Sequence, residues 1–434
     1  MESLSSRNGR LLLVAVVAGT IMLAAHAQAA IPGISGDFAA GVRTFNLTAK
    51  SGYISTPDGG SYFMWGYSPD PNGLMQYPGP TLLVGQGETV RINLRNEIYE
   101  PVSIVFPGQT NMSPPTGGLA GLLTREALPG GEAVVTYEFI ADYPGTYLYH
   151  SGSRPEMQIE MGLVGALIIR PDGYDPETNK IAYNHESSAY DREYLFLHTE
   201  MDPLFHQAVA AGCMDTIDNT TYNPVYWFMN GRCFPDTVLA APYSDLLPRQ
   251  PYNALARMHP GERILMRMIG AGRNAHPFHT HGNNFLLIAR DGRLLSTDGG
   301  VSGADLAVSD YTQNVLPGAT HDAIFEWTAE KIGWDIYGHD PGDPLEPFEY
   351  APDHGKPIPV DLPEQKDLTF GMLYSGSPFL GSFAPLPPGG GLNLTGGYWQ
   401  IWHSHLEKEI VNNDLFPGGQ ITFMLIDHWD VPIP

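Results

Sequence analysis

Five histidines in two short motifs are the residues of this sequence that point most directly to chemistry. One motif contains His276, His279 and His281, and the other contains His403 and His405. In an extended strand, residues i and i+2 share a face, so each His-x-His pair presents two imidazoles side by side. Two such pairs on neighbouring strands converge, and imidazole-rich ligation suits copper, zinc or iron better than calcium or magnesium. The motifs therefore predict a transition-metal site.

The strands that must position these histidines belong to a unit that occurs twice in the chain. The first copy opens near Pro80 with PTLLVGQGETVRINL and closes on GTYLYH, ending at His150. The second opens near Leu255 with LARMHPGERILMRM and closes on GYWQIWH, ending at His403. Alternation with period two predicts strands with one inward face, and Pro-Gly and Gly-Glu pairs mark the turns. Each copy predicts a Greek-key β-sandwich, so the fold class is all-β with two such domains.

The repeat also gives the domain boundaries. Arg7 and Arg10 precede an apolar run that ends in an Ala-Gln-Ala cleavage site, which is typical of a secretory signal peptide. Pro/Gly-rich segments at 338–363 and 385–391 predict long loops in the second domain. The predicted division is a signal peptide at 1–29, a first domain at 30–172, a linker at 173–191 and a second domain at 192–434. We expect the mature chain to be secreted or periplasmic.

Composition limits the partners and the redox state. A formal net charge of −24 argues against binding to nucleic acid or anionic lipid, because both would be repelled. After signal cleavage no segment approaches about 20 consecutive apolar residues, so we expect no membrane partner. Cys213 and Cys233 are the only cysteines. In an oxidising compartment such a pair predicts a disulfide, with metal ligation by two thiols as the alternative.

The histidine motifs resemble the copper-ligand motifs of the multicopper oxidases, the laccase-type enzymes. The matching pattern is His-Pro-x-His-x-His-Gly from His276, followed by His-x-His from His403. Further segments similar to the family are YLYHS at 147–151, GLVGALII at 162–169 and NGRCFP at 230–235. The resemblance implies two cupredoxin-like domains and copper as the cofactor. It also implies a set of copper ligands. His276 would belong to the blue-copper site, and the ligands of the oxygen-reducing cluster would be His150, His279, His281, His403 and His405.

The first domain departs from the family pattern at the cluster. Two H-x-H motifs are expected there, but Val105 and Pro107 replace both ligands of the first motif, and neither residue can bind a metal. The second motif keeps His150 and has Gly152 in place of its other histidine. The remaining imidazoles suffice for one or two copper ions, fewer than the family's full set.

The second domain departs from the pattern at the blue-copper site. Ser404 stands where the family has cysteine, Glu409 where it has histidine and Asp414 at the axial place. A blue-copper centre needs a thiolate, so we expect neither that centre nor its electron relay. The vacated place offers His276, Ser404, Glu409 and Asp414, an oxygen-rich set that suits manganese, iron or zinc. The alternative is a hydrogen-bonded polar pocket.

The sequence is compatible with three functions. The first is a copper-dependent, multicopper-oxidase-like oxidoreductase that takes electrons directly from a small reductant or a donor protein. The second is a non-enzymatic copper-buffering protein, and the third is a pseudoenzyme scaffold. In two-domain relatives, including copper nitrite reductases, ligands from neighbouring chains meet around a three-fold axis, which implies a homotrimer if His150 shares a metal with His405. The other histidines, among them His339 and His354, are assigned no role.

Overall fold

The computed structural model describes residues 31–433, apart from 132, 241–242, 331–332, 334, 338, 357–375 and 378–397. The predicted signal peptide, the predicted loop at 385–391 and residues 357–363 of the other predicted loop lie outside the described residues. Within the described part, no helix has the length and apolar character of a membrane span.

The described chain is built from strands, two short helices and several single turns of 3₁₀-helix. The helices are α1 (Pro155–Gln158) and α2 (Pro203–Ala210). The strands are β1 (Asp37–Ala39), β2 (Val42–Ser55), β3 (Ser61–Ser68), β4 (Leu82–Gly85), β5 (Thr89–Asn96), β6 (Asn111–Thr116), β7 (Leu119–Ala120), β8 (Arg125–Glu126), β9 (Val135–Ile140), β10 (Gly145–His150), β11 (Val164–Arg170), β12 (Arg192–Met201), β13 (Tyr226–Met229), β14 (Ala256–Met258), β15 (Arg263–Gly270), β16 (His276–Thr280), β17 (Phe285–Arg290), β18 (Arg293–Leu294), β19 (Val308–Asp310), β20 (Thr312–Val315), β21 (Thr320–Glu326), β22 (Gly376–Ser377), β23 (Tyr398–Ser404) and β24 (Ile421–Ile426). The prediction of an all-β chain is confirmed.

The strands up to Arg170 form two facing sheets. One has the order β1-β2-β5-β9-β6 with β3 paired to β2, and the other has the order β10-β11-β4. In β5 the apolar residues alternate with polar ones, so Val90, Ile92 and Leu94 are buried on one face. They pack in one core with Tyr147 and Leu167 of the opposite sheet. This arrangement places His150 at the end of β10.

The strands from Arg192 onward form a second pair of sheets. One has the order β13-β12-β15-β21-β17-β18 with β19 on β17, and the other has the order β14-β24-β23-β16-β20 with β22 on β23. Phe196 and Met266 of the first sheet share a core with Phe278 and Trp402 of the second. No strand of these sheets lies between Arg170 and Arg192, in the segment where the sequence predicts the linker.

A buried polar junction connects the two sheet pairs. Arg267 on β15 donates from Nη1 to Thr146 Oγ1 on β10 at 2.9 Å, and Thr146 Oγ1 donates to Asp322 Oδ1 on β21 at 2.6 Å. Arg267 Nε also donates to Glu193 Oε2 at 2.9 Å. The Tyr183 hydroxyl donates to the other oxygen of Asp322. All five side chains are buried, so each charge in the junction has a direct partner.

The disulfide predicted from the sequence is not formed, because the two cysteines lie in different surroundings. Cys213 is free and exposed after the end of α2, whereas Cys233 is free and buried. The Cys233 thiol lies 3.4 Å from the carbonyl oxygen of Trp227.

Candidate metal centre

The histidine motifs lie on two paired strands. β16 runs antiparallel to β23, and His279 is directly opposite His403. Because side chains alternate along a strand, His276, Phe278 and Thr280 are buried while His279 and His281 share the other face. The same alternation buries Ser404 and turns its two histidine neighbours outward.

Four of the predicted ligands come together on this outward face. The ring centre of His279 lies 4.9 Å from that of His281, 5.5 Å from that of His403 and 4.8 Å from that of His405. One ring nitrogen from each of His279, His281 and His403 lies within 4.8 Å of the others. We call these three residues the histidine group. The pairing predicted from the spacing is therefore present in the fold.

Ring nitrogens of His403 and His281 face each other. His403 Nδ1 lies 2.8 Å from its neighbour's carbonyl oxygen at Ser404, which can only accept, so Nδ1 carries the proton of the neutral ring. His403 Nε2 then presents a lone pair, 3.3 Å from Nε2 of His281. His279 Nδ1 lies 2.7 Å from the hydroxyl of Thr312. Outer hydrogen bonds of this kind fix the ring orientation of metal-binding histidines.

The surroundings favour neutral imidazoles. Burial, followed by the charges of His403 and His405, lowers the pKa of His279 to about 4. Burial also lowers the pKa of His403. A metal binds only the unprotonated nitrogen, so these shifts favour the metal-binding form of His279 and His403.

The other two cluster candidates lie differently. His405 has a side chain 54% exposed, with Nδ1 3.8 Å from a carboxylate oxygen of Glu407. His150 is half-buried on β10, donates from Nδ1 to the carbonyl oxygen of Ser151 at 2.9 Å, and has a pKa lowered by burial. Its ring nitrogens are not among those that the structure gathers within 4.8 Å in the histidine group.

Packing in the first pair of sheets opposes a side chain at Gly152 as long as Val105 is present. A Cβ atom on Gly152 would lie 2.7 Å from Cγ1 of Val105 and 3.0 Å from Oγ of Ser103. Real Cβ contacts do not come as close as 2.7 Å, so the glycine and the valine are matched to each other. Val105 also forms a backbone bridge with His150.

His276 lies on the buried face, apart from the histidine group. Its Nδ1 lies 2.9 Å from Oε2 of Glu409, and its Nε2 lies 3.0 Å from Oε2 of Glu200. Ser404 Oγ donates to the same Glu409 oxygen at 2.6 Å, while Asp414 is exposed and takes no part. With a carboxylate at each nitrogen, both nitrogens must donate, so the ring is an imidazolium. Burial alone lowers its pKa, but the bonds to Glu200 and Glu409 raise the pKa of His276 to about 9.

Glu200 is the residue of this network that the sequence motifs did not indicate. It lies in the buried run of β12, and its Oε1 accepts from the backbone N–H of Asn274 at 2.8 Å. A carboxylate shortly after the apolar run YLFL at 194–197 is the available signal, because burying a charge without a partner is costly. Nothing in the local sequence says that the partner is His276.

Residues 72–173 match the family model described as multicopper oxidase. This segment is therefore similar to a multicopper oxidase domain. That segment contains Val105, Pro107 and Gly152, the residues at which the copper-ligand motifs depart from the family pattern, and the retained His150.

Two curated relatives extend the similarity beyond the multicopper oxidase domain. The probable nitrite reductase-hydroxylamine oxidoreductase fusion protein of Kuenenia stuttgartiensis is 27% identical over 258 residues, covering 58% of this chain and 26% of the relative. Copper resistance protein A of Pseudomonas syringae pv. tomato is 27% identical over 283 residues, covering 58% of this chain and 42% of the relative. The chain thus spans about a quarter of the length of the first relative and about two fifths of the length of the second.

The solved structure of multicopper oxidase mgLAC matches with a TM-score of 0.55 at 19% identity, covering 91% of this chain and 88% of that one. A match at this level shows the fold. The predicted cupredoxin-like β-sandwich architecture, with the histidine group on its second pair of sheets, is confirmed.

Proposed function

We propose that this protein is an exported copper-binding oxidoreductase of the multicopper-oxidase type that works at the histidine group and lacks a blue-copper site. The observation that carries the proposal is the convergence of three imidazole nitrogens within 4.8 Å on two paired strands. Copper is the metal implied by the multicopper oxidase domain. One or two ions match the number of imidazoles that the second pair of sheets supplies.

The protein residues have distinct tasks in this proposal. His279, His281 and His403 hold the metal, while the carbonyl of Ser404 and the hydroxyl of Thr312 fix two of the rings. Copper bound there would supply one-electron redox chemistry. The burial that lowers the pKa of His279 keeps its ring neutral and available.

The electron route must differ from one that passes through a thiolate. Ser404 lies between the two outward histidines, but its Oγ is a hydroxyl that donates to Glu409. Neither cysteine takes the place of a thiolate at this position. Cys213 is exposed after α2, and the Cys233 thiol contacts the Trp227 carbonyl. We therefore propose that a small reductant or a donor protein delivers electrons directly at the exposed side of the site, where His405 is 54% exposed.

Assembly into a homotrimer would complete the site. The histidine group is half-buried, and His150 of the same chain is not part of it. A neighbouring copy that presents its own His150 to this face would add a ligand and cover the metal. Export is supported by the signal-peptide pattern at the start of the sequence.

The test starts from purified protein that is reconstituted with copper. We expect bound copper by mass spectrometry and oxygen uptake with a phenolic reductant, without the intense blue absorption of a thiolate-copper bond. His281→Ala and His403→Ala should each lose copper and oxygen uptake. His185→Gln, which changes a half-buried histidine at the start of the 3₁₀ turn Glu186–Ser188, is the matched control and should keep both.

Two results would contradict the proposal. Copper retained in full by the double His281→Ala, His403→Ala variant would show that the metal binds elsewhere. Bound copper without oxygen uptake by the unchanged protein would remove the oxidoreductase assignment and favour copper buffering. Light scattering tests the trimer, and His150→Ala should weaken copper binding only if neighbouring copies share the site.

A further inference from the structure

A second convergence of ligand atoms lies on the long connection that follows β21. Four side chains each direct one ligand atom into a common space, with all of these atoms within 4.8 Å of one another. We call this set the loop cluster; it consists of Asp335, His339, Glu349 and His354. The two carboxylates are nearly buried, with side-chain exposures of 0% for Asp335 and 3% for Glu349.

The distances define a compact donor set of two nitrogens and two oxygens. His354 Nδ1 lies 2.6 Å from Glu349 Oε1 and 3.7 Å from Asp335 Oδ2. His339 Nδ1 lies 3.3 Å from the same Asp335 oxygen and 3.4 Å from the same Glu349 oxygen. Each imidazole therefore directs its Nδ1 atom towards both carboxylates.

The protonation of His354 follows from its other nitrogen. Nε2 lies 3.0 Å from the carbonyl oxygen of Asp343, which can only accept a hydrogen bond. Nε2 therefore carries a proton, and in the neutral ring the lone pair of Nδ1 points at the carboxylates. That arrangement needs a cation between the groups, either a second proton on the ring or a metal ion. An imidazole whose second nitrogen donates to a carbonyl is also the usual arrangement of a metal-binding histidine.

Backbone N–H groups hold the carboxylates in place. Asp335 Oδ1 accepts from Tyr337 N at 2.8 Å, and Oδ2 accepts from Gly355 N at 2.8 Å. Glu349 Oε2 accepts from Glu346 N at 2.8 Å, which leaves Oε1 for the centre of the cluster. The ligand atoms are thus oriented by bonds that do not involve one another.

The formal charges of the four donors suit a divalent ion. The carboxylates of Asp335 and Glu349 carry a charge of −2 and both direct an oxygen towards the two imidazoles. A divalent cation would neutralise both carboxylates at once and leave both imidazoles neutral.

We propose that the loop cluster is a binding site for a divalent transition-metal ion, with zinc the best fit. Four protein donors of mixed nitrogen and oxygen type match the four-coordinate structural sites of zinc, whereas calcium and magnesium prefer oxygen alone. Within the described residues, the chain from Glu326 to the 3₁₀ turn at Ala351–Asp353 contains no strand. The ion therefore ties together a long loop that has little regular structure of its own, and it contributes to folding there.

The experiment uses the full mature chain in the His281→Ala, His403→Ala background, so that the histidine group does not compete. After treatment with a chelator, zinc titration by calorimetry should show one equivalent bound. His354→Gln and Glu349→Gln should each weaken binding by at least about 10-fold. His428→Gln is the matched control, because its ring centre lies 6.4 Å from that of His339 but it belongs to neither group of ligands.

A second measurement does not depend on the folding of the variants. Cobalt(II) added to the metal-free protein should give the visible absorption of a tetrahedral site, and the zinc X-ray absorption edge should fit nitrogen and oxygen neighbours only. Absence of zinc binding, a six-coordinate oxygen environment, or full affinity in the double His354→Gln, Glu349→Gln variant would each overturn the assignment.

Discussion

The buried imidazolium of His276 should make the stability of the protein fall as the pH rises above neutrality. An unperturbed histidine has a pKa near 6.5, and the pKa of His276 is raised to about 9 by hydrogen bonds to Glu200 and Glu409. The unfolded chain therefore binds this proton less tightly than the folded chain. At 1.36 kcal/mol for each pH unit, the difference corresponds to about 3 kcal/mol. This contribution is fully present below the unfolded pKa and is lost as the pH rises through the folded one.

The assay is urea unfolding of the metal-free protein between about pH 6 and about pH 10. The wild type should lose about 3 kcal/mol more than His276→Gln over this range, because other titrating groups are common to both proteins. Ser404→Ala is the matched control: it removes a hydroxyl bonded to Glu409 but leaves both ion pairs of His276, so its pH dependence should follow the wild type.

Two results would refute this reasoning. Parallel pH profiles for the wild type and His276→Gln would mean that the imidazole is not held as a cation. A pKa at or below 6.5 for His276, measured by NMR of labelled histidine, would mean the same. The neighbouring ring of His198 does not interfere, since burial lowers its pKa to about 3 and it stays neutral throughout.

Two further predictions follow from burial. Cys213 is exposed and Cys233 is buried with a raised pKa, so a thiol reagent should modify one cysteine in the native protein and the second only after unfolding; rapid modification of both would contradict the structure. Arg267→Met should lower the free energy of unfolding in urea by about 3 kcal/mol, because it leaves a buried charge at Glu193 less well paired. Arg91→Met, at a partly exposed pair, should cost less than about 1 kcal/mol, and equal losses in the two variants would argue against the buried junction.

The sequence was sufficient to predict those parts of the site whose geometry follows from the spacing of residues along a strand. Alternation along a strand brings His279 next to His281, and repetition of the strand unit brings His403 opposite them; both predictions are confirmed by the strand register and ring distances. The same alternation accounts for the burial of Ser404 behind its two histidine neighbours. The division into two domains at 173–191 remains a prediction, as do the signal peptide and the trimer.

The sequence was insufficient to predict contacts between residues that are far apart in the chain. His276 contacts Glu200, which lies 76 positions away on another strand, and no local pattern encodes that contact. His339 and His354 lie in a loop without periodicity, so they were assigned no role, although the structure directs both towards Glu349. The spacing of single cysteines was likewise misleading, because chain separation does not report that one lies in the core and the other at the surface.

The buried junction at Thr146 also determines how the molecule can move. Its hydroxyl accepts from Arg267 on one strand of the second sheet pair and donates to Asp322 on another, so a hinge between the two halves would have to break both bonds in a site from which water is excluded. The two halves should therefore move as one rigid body. Any change of shape at the histidine group is then confined to side chains and loops.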